Sequence, residues 1–202
     1  MRQIIESLEA EYRRYKALAD AALAQVSDEE LSAPGPNGSN SLAVLVRHIA
    51  GNLESRFTDF RTSDGEKPWR DRDDEFVPRR VTREECRERW ERGWGALFSA
   101  LASLTDADCG ATITIRGTPL RVDEALHRSL AHTAYHVGQI VYLAKALRGS
   151  DWRCLSIPLG ESRTYNREPS YERAAAHADA LARGAGAPGY SIQPPPTTRS
   201  SS

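Results

Sequence analysis

Residues 123–147 read DEALHRSLAHTAYHVGQIVYLAKAL, the most informative stretch of the chain. Leu126, Leu130, Val137, Ile140, Val141 and Ala144 fall on one face at helical spacing, so the segment is an amphipathic helix. Gly149 stands just past its end, where a glycine closes a helix. The same helix carries His132 and His136. Four residues apart, they stack on one face, and two imidazoles so placed can share one metal ion.

Working outward, three more segments repeat the pattern. One runs over 2–26, with Ile5, Leu8, Tyr12, Tyr15, Leu18, Ala22 and Val26 three or four apart. Ser27 and the acids Asp28, Glu29 and Glu30 read as its end and a short acidic turn, and Pro34-Gly35-Pro36-Asn37-Gly38 as a loop. A second helix is expected over 41–60, capped by Asn40 or Ser41 and carrying Leu42, Leu45, Ile49, Leu53, Phe57 and Phe60. A third is expected over 82–104, where Thr82 and Glu85 have capping-box spacing and Trp90, Trp94, Leu97, Leu101 and Leu104 follow. Ile49, Leu53, Trp94, Leu97, Leu130 and Val137 are the expected core.

The connections set the architecture. About twenty residues, Arg61 to Val81, separate the second and third helices, long enough to cross a bundle or serve a site. Before the last helix, Thr112-Ile113-Thr114-Ile115 alternates and Arg116-Gly117 turns, predicting a small hairpin with Pro119 on its outer strand. The expected fold is all-α: a four-helix bundle with a long crossover between helices two and three and a small hairpin before helix four. Residues 1–170 form the domain with its C-terminal extension, in which Trp152 to Pro158 reads as extended. Residues 171–183 read as a short helix, and 184–202, ending in Pro194-Pro195-Pro196 and Ser200-Ser201-Ser202, as a disordered tail too poor in apolar residues to fold.

Composition removes several function classes. The 202 residues suit one domain or one domain plus a tail, and mean hydropathy is -0.56. No apolar run approaches the about 18–20 residues a membrane-spanning helix needs. The start, Met1-Arg2-Gln3-Ile4-Ile5-Glu6-Ser7, lacks the apolar core of a signal peptide, so a cytoplasmic protein with no membrane partner is expected. Lys+Arg is 27 against Asp+Glu 28, which argues against nucleic acid, whose binders carry a basic excess. Nearly all the cations are arginine, with lysine only at Lys16, Lys67 and Lys145; this reads as compositional bias and not as function. Three cysteines, Cys86, Cys109 and Cys154, widely spaced and without a CxxC, make neither a disulfide framework nor a cysteine zinc site.

Histidine carries the chemistry. At about 100° per residue, His132 and His136 lie to one side of their helix's apolar stripe, and His48 lies off its own stripe in the same sense. Each sits where a bundle cleft meets solvent. Three neutral imidazoles would leave coordination positions open and suit zinc, nickel or iron; the competing reading is three unrelated polar residues at helix flanks. His127 points away from the pair and His177 lies near the tail. Thr133 stands where a zinc protease helix needs glutamate. Glu124-Ala125-Leu126-His127 is a lone Glu-x-x-His where a di-iron bundle needs two. Asp71-Arg72-Asp73-Asp74-Glu75-Phe76 lacks the glycine of a calcium loop.

The segments Leu45-Val46-Arg47-His48-Ile49-Ala50-Gly51-Asn52 and His132-Thr133-Ala134-Tyr135-His136-Val137-Gly138-Gln139-Ile140 together resemble the DinB-like superfamily of metal-binding four-helix bundles. Ser55-Arg56-Phe57-Thr58-Asp59-Phe60, Asp64-Gly65-Glu66-Lys67-Pro68-Trp69-Arg70 and Ser156-Ile157-Pro158 are similar to one of its branches of unknown function. The resemblance covers about residues 1 to 170.

That resemblance implies an up-down-down-up bundle and a divalent metal, commonly zinc or nickel, held by His48, His132 and His136. Superfamily members include S-transferases that use bacillithiol, mycothiol or glutathione, and many pair as homodimers, so a small-molecule thiol and a second copy are the expected partners. Arg128, one turn before His132, would then bind a carboxylate of such a thiol, against the plainer role of a solvated arginine. Asn52 and Gln139, a turn beyond the ligands, would orient an imidazole or a substrate, against a structural hydrogen bond. Two function classes follow: a metal-dependent thiol transferase, or a non-catalytic metal-binding structural or sensing module.

Overall fold

A computed structural model describes residues 1–183. Their secondary structure is mostly helix: α1 (Gln3–Leu23), α2 (Asp28–Ser32), α3 (Leu42–Phe57), α4 (Arg72–Glu75), α5 (Arg83–Ala102), α6 (Val122–Arg148), α7 (Ser162–Tyr165) and α8 (Ala174–Ala182). The antiparallel pair β1 (Thr112–Ile115) and β2 (Thr118–Arg121) precedes α6. Among the described residues no helix is long and apolar enough to cross a membrane. Residues 184–202, read from sequence as a disordered tail, lie outside the described residues.

The four long helices stand where hydrophobic periodicity puts them, and they pack in pairs: α3 on α5, α1 on α6, with α3 also meeting α6. Trp94 is wholly buried at the centre, edge-on to Tyr12 and Trp90. The Tyr12 hydroxyl donates to the Leu126 carbonyl at 2.9 Å, joining α1 to α6. Ile49, Leu53, Leu97 and Val137 are buried as expected. Leu130 is only half-buried, because it lies at the flank of the apolar face and not at its centre.

Helix ends are satisfied by neighbours as well as by local caps. Arg2 donates to the carbonyls of Leu101 and Leu104, both at 2.9 Å, placing a cation at the negative end of α5. In return the Asp106 carboxylate accepts from the backbone N–H groups of Ile4 and Ile5 at the start of α1. Thr82 and Glu85 form the capping box foreseen for α5.

Three segments differ from the sequence reading. The acidic turn after α1 is a short helix, α2, because Ser27 and Glu30 cap each other reciprocally. The crossover contains α4, capped by the Asp71 side chain and clamped by Arg47, whose guanidinium donates to the carbonyls of Asp74 and Val77. Residues 152–158 are irregular and not a strand.

The hairpin turns at Arg116 and Gly117, both with positive φ (53° and 73°), the geometry a two-residue turn demands. It is fastened to the crossover: Thr114 accepts from the Gly65 N–H, and the Asp64 carboxylate accepts from the N–H groups of Glu66, Arg116 and Gly117. Those backbone donors hold the Asp64 carboxyl below the usual range.

α3 and α5 touch backbone to backbone at one point. A Cβ on Gly93 would lie 2.6–3.0 Å from backbone atoms of Ala50, which cannot swing aside as a side chain can. Gly95, exposed two residues on, has nothing within 4 Å. Gly95→Ala should therefore stabilise the protein by about 0.5–1 kcal/mol through helix propensity. Gly93→Ala should reverse that sign and lose about 1–3 kcal/mol through overpacking. Urea unfolding of the two variants beside the wild type measures both.

Candidate metal centre

α3 and α6 bring His48, His132 and His136 together, with one ring nitrogen from each lying within 4.8 Å of the others. The three ring centroids lie 4.5–5.2 Å apart. His48 is buried, and the other two are half-buried toward a cavity of about 570 Å³.

Two of the rings are oriented from behind. His48 Nδ1 lies 2.9 Å from a Glu75 carboxylate oxygen, and His136 Nδ1 lies 2.8 Å from the Gln139 side-chain oxygen. Both partners accept, so each Nδ1 must carry the hydrogen and each neutral ring presents a bare Nε2 lone pair. His48 Nε2 is 3.2 Å from His132 Nε2. Four ligands at ~2.0–2.1 Å around zinc put neighbouring donor atoms ~3.3 Å apart. The donor set therefore fits a divalent cation, and the three imidazoles could hold one.

The buried carboxylate behind His48 is itself held. Arg70 Nε and a terminal nitrogen donate to the two Glu75 oxygens at 2.8 and 3.0 Å, and the Arg70 side chain is only 2% exposed. Burial opposes charge on Glu75, but the hydrogen bonds from His48 and Arg70 prevail and keep its carboxyl below the usual range. Gly51, one helical turn from His48, faces this carboxylate so closely that a Cβ there would collide with Glu75 Oε1. Burial pushes His132 down to about 4, with the neighbouring His136 and His48 acting in the same direction. His136 is lowered too, by burial first.

The other sequence candidates are placed as follows. Gln139 touches His136 directly. Asn52 and Arg128 line the cavity without contacting the imidazoles. His127 is exposed and bonds the Asp123 carbonyl in its own helix, outside the cluster. His177 is buried elsewhere, against the Leu155 carbonyl and the Tyr171 ring.

Sequence reasoning missed Glu75 and Arg70, since the acidic run 71–76 has no periodicity and fails as a calcium loop. Its usable signal was a carboxylate within the long crossover that follows a histidine-bearing helix, which is where an outer partner for a ligand can come from.

Two outcomes test this geometry. Glu75→Gln should weaken zinc binding by about 10–100-fold, while His127→Ala leaves it unchanged, as read by competition with a chromophoric chelator. In metal-free protein, His132 is depressed in the fold, so the unfolded chain binds more protons and stability falls as pH drops from about 6.5 toward about 4. Urea midpoints measured across that range should show a shallower fall in His132→Gln than in wild type.

Comparison with known proteins adds a family. No curated protein and no solved structure matches the chain. A family model described as a protein of unknown function (DUF1572) matches residues 1–161, a span that holds all three histidines, Glu75 and the hairpin. The chain belongs to this DUF1572 family.

Proposed function

We propose that the protein is a DinB-like four-helix bundle of up-down-down-up order. His48, His132 and His136 hold a divalent metal, zinc or nickel, and the protein transfers a low-molecular-weight thiol such as bacillithiol, mycothiol or glutathione to an electrophile. The pairing of α1 with α6 and of α3 with α5 supports the topology, as does the long crossover between α3 and α5. The observation that carries the function is the convergence of three imidazoles, two of them oriented from behind, on a cavity of about 570 Å³, a size ordinary for small-molecule sites.

A divalent cation there would supply Lewis acidity, keeping a thiol of ordinary pKa ionised at neutral pH. The chain's own residues do the rest. Glu75 and Gln139 fix the rings of His48 and His136, so two of the three donor atoms are held in place. Phe57, Phe60 and Leu120 give the cavity an apolar wall for the body of a substrate. Among the described residues no aspartate or glutamate lines the cavity, so a thiol proton leaves to solvent and not to a protein base.

That missing base also favours the second reading, a metal-binding structural or sensing module without catalysis. Cobalt-substituted protein separates the two. Under the transferase reading, one of the three thiols should produce a sulfur-to-cobalt charge-transfer band, absent in His136→Ala, with electrophile consumption falling in parallel. If none of the thiols perturbs the cobalt spectrum, the module is the better account.

A further inference from the structure

Five arginines line the cavity beside the histidines: Arg56, Arg70, Arg72, Arg116 and Arg128. The whole chain has a formal charge of -1, so this is a strong local concentration. Part of it is spent inside the protein. Arg70 is fully engaged by Glu75. Arg56 and Arg116 share one carboxylate, Glu66, at 3.1 and 2.8 Å, with the Asp64 carboxylate on the Arg116 backbone N–H; Arg116 bonds Glu66 through Nε alone, and its terminal nitrogens have no hydrogen-bond partner among the described residues. Arg72 reaches only Asp73, at 3.8 Å, whose side chain stands in water, and its guanidinium lies over the Phe76 ring. Arg128 makes no ion pair among the described residues.

Guanidinium nitrogens without a hydrogen-bond partner among the described residues thus come from three separate elements, α4, the hairpin turn and α6, around one partly apolar space. Guanidinium groups bind carboxylate and phosphate oxygens in paired hydrogen bonds, and more strongly where water is partly excluded. Among the described residues no acid lines the cavity itself, Glu66 holding Arg116 from outside the lining, while Phe57 and Phe60 offer an aromatic wall.

We propose that Arg72, Arg116 and Arg128 form a recognition subsite for an oxyanion-bearing small molecule, a carboxylate or a phosphate ester with an apolar body. The subsite deepens the proposed function and rests on it for the use of this cavity by substrate; the arginines bind the acid group with or without metal.

The test is calorimetric titration of the full-length protein with phenylacetate, phenyl phosphate and the neutral phenylacetamide, in wild type and in His132→Ala. At least one acid should bind about tenfold or more tightly than the amide in both proteins. That preference should shrink about tenfold in an Arg116→Gln/Arg128→Gln variant, and Arg72→Gln should shrink it independently. Preference for phenylacetate assigns a carboxylate ligand, and preference for phenyl phosphate a phosphate ester. Equal binding of the amide, no binding of either acid at millimolar concentration, or an undiminished preference in the arginine variants overturns the subsite. A protein that holds metal yet shows no acid preference refutes the subsite alone. A protein that fails to hold metal while keeping the preference refutes the proposed function and leaves the subsite standing.

Discussion

The buried carboxylate of Glu75 is the constraint around which the functional end of the molecule is arranged. It comes from a four-residue helix in the middle of the crossover, yet it meets His48 of α3 and Arg70 of the preceding loop at hydrogen-bond distance. An ionised carboxylate out of water is tolerated only when its oxygens are fully engaged, and removing one partner from such a buried set costs about 3–5 kcal/mol. The engagement therefore does two things at once. It orients an imidazole, and it pins a crossover that has little apolar surface of its own to bury. Gly51 follows from the same requirement, because α3 can approach the carboxylate only where a side chain is missing.

The long helices were legible because their information is local. Leu, Ile and Trp spaced three and four apart state which face is buried, and Ser41, Thr82 and Gly149 mark boundaries whatever the helices later pack against. Two of the three clustered histidines were legible for the same reason, sharing one helix at a spacing of four. His48 needed the rotational position of a second helix, and the structure brings it to 3.2 Å from His132.

The crossover was opaque because its order comes from side-chain partners that no helical or strand spacing announces. Arg47 reaches Asp74 and Val77, and Arg70 reaches Glu75 and, at 3.2 Å, Ser55; neither contact has a periodic signature. Some of the arginines, read from composition as a bias, are these clamps and the cavity wall. A count of charges carries no such information, since it says nothing of which guanidinium finds a carboxylate and which faces open space.

Asp64 has a kinetic meaning beyond its hydrogen bonds. Its side chain, with the Gly65–Thr114 and Arg116–Glu66 bonds beside it, ties the crossover to the hairpin turn, and both segments line the cavity. Loosening either segment means breaking the same set of bonds, so the two are coupled, and segments coupled in this way open together more readily than one at a time.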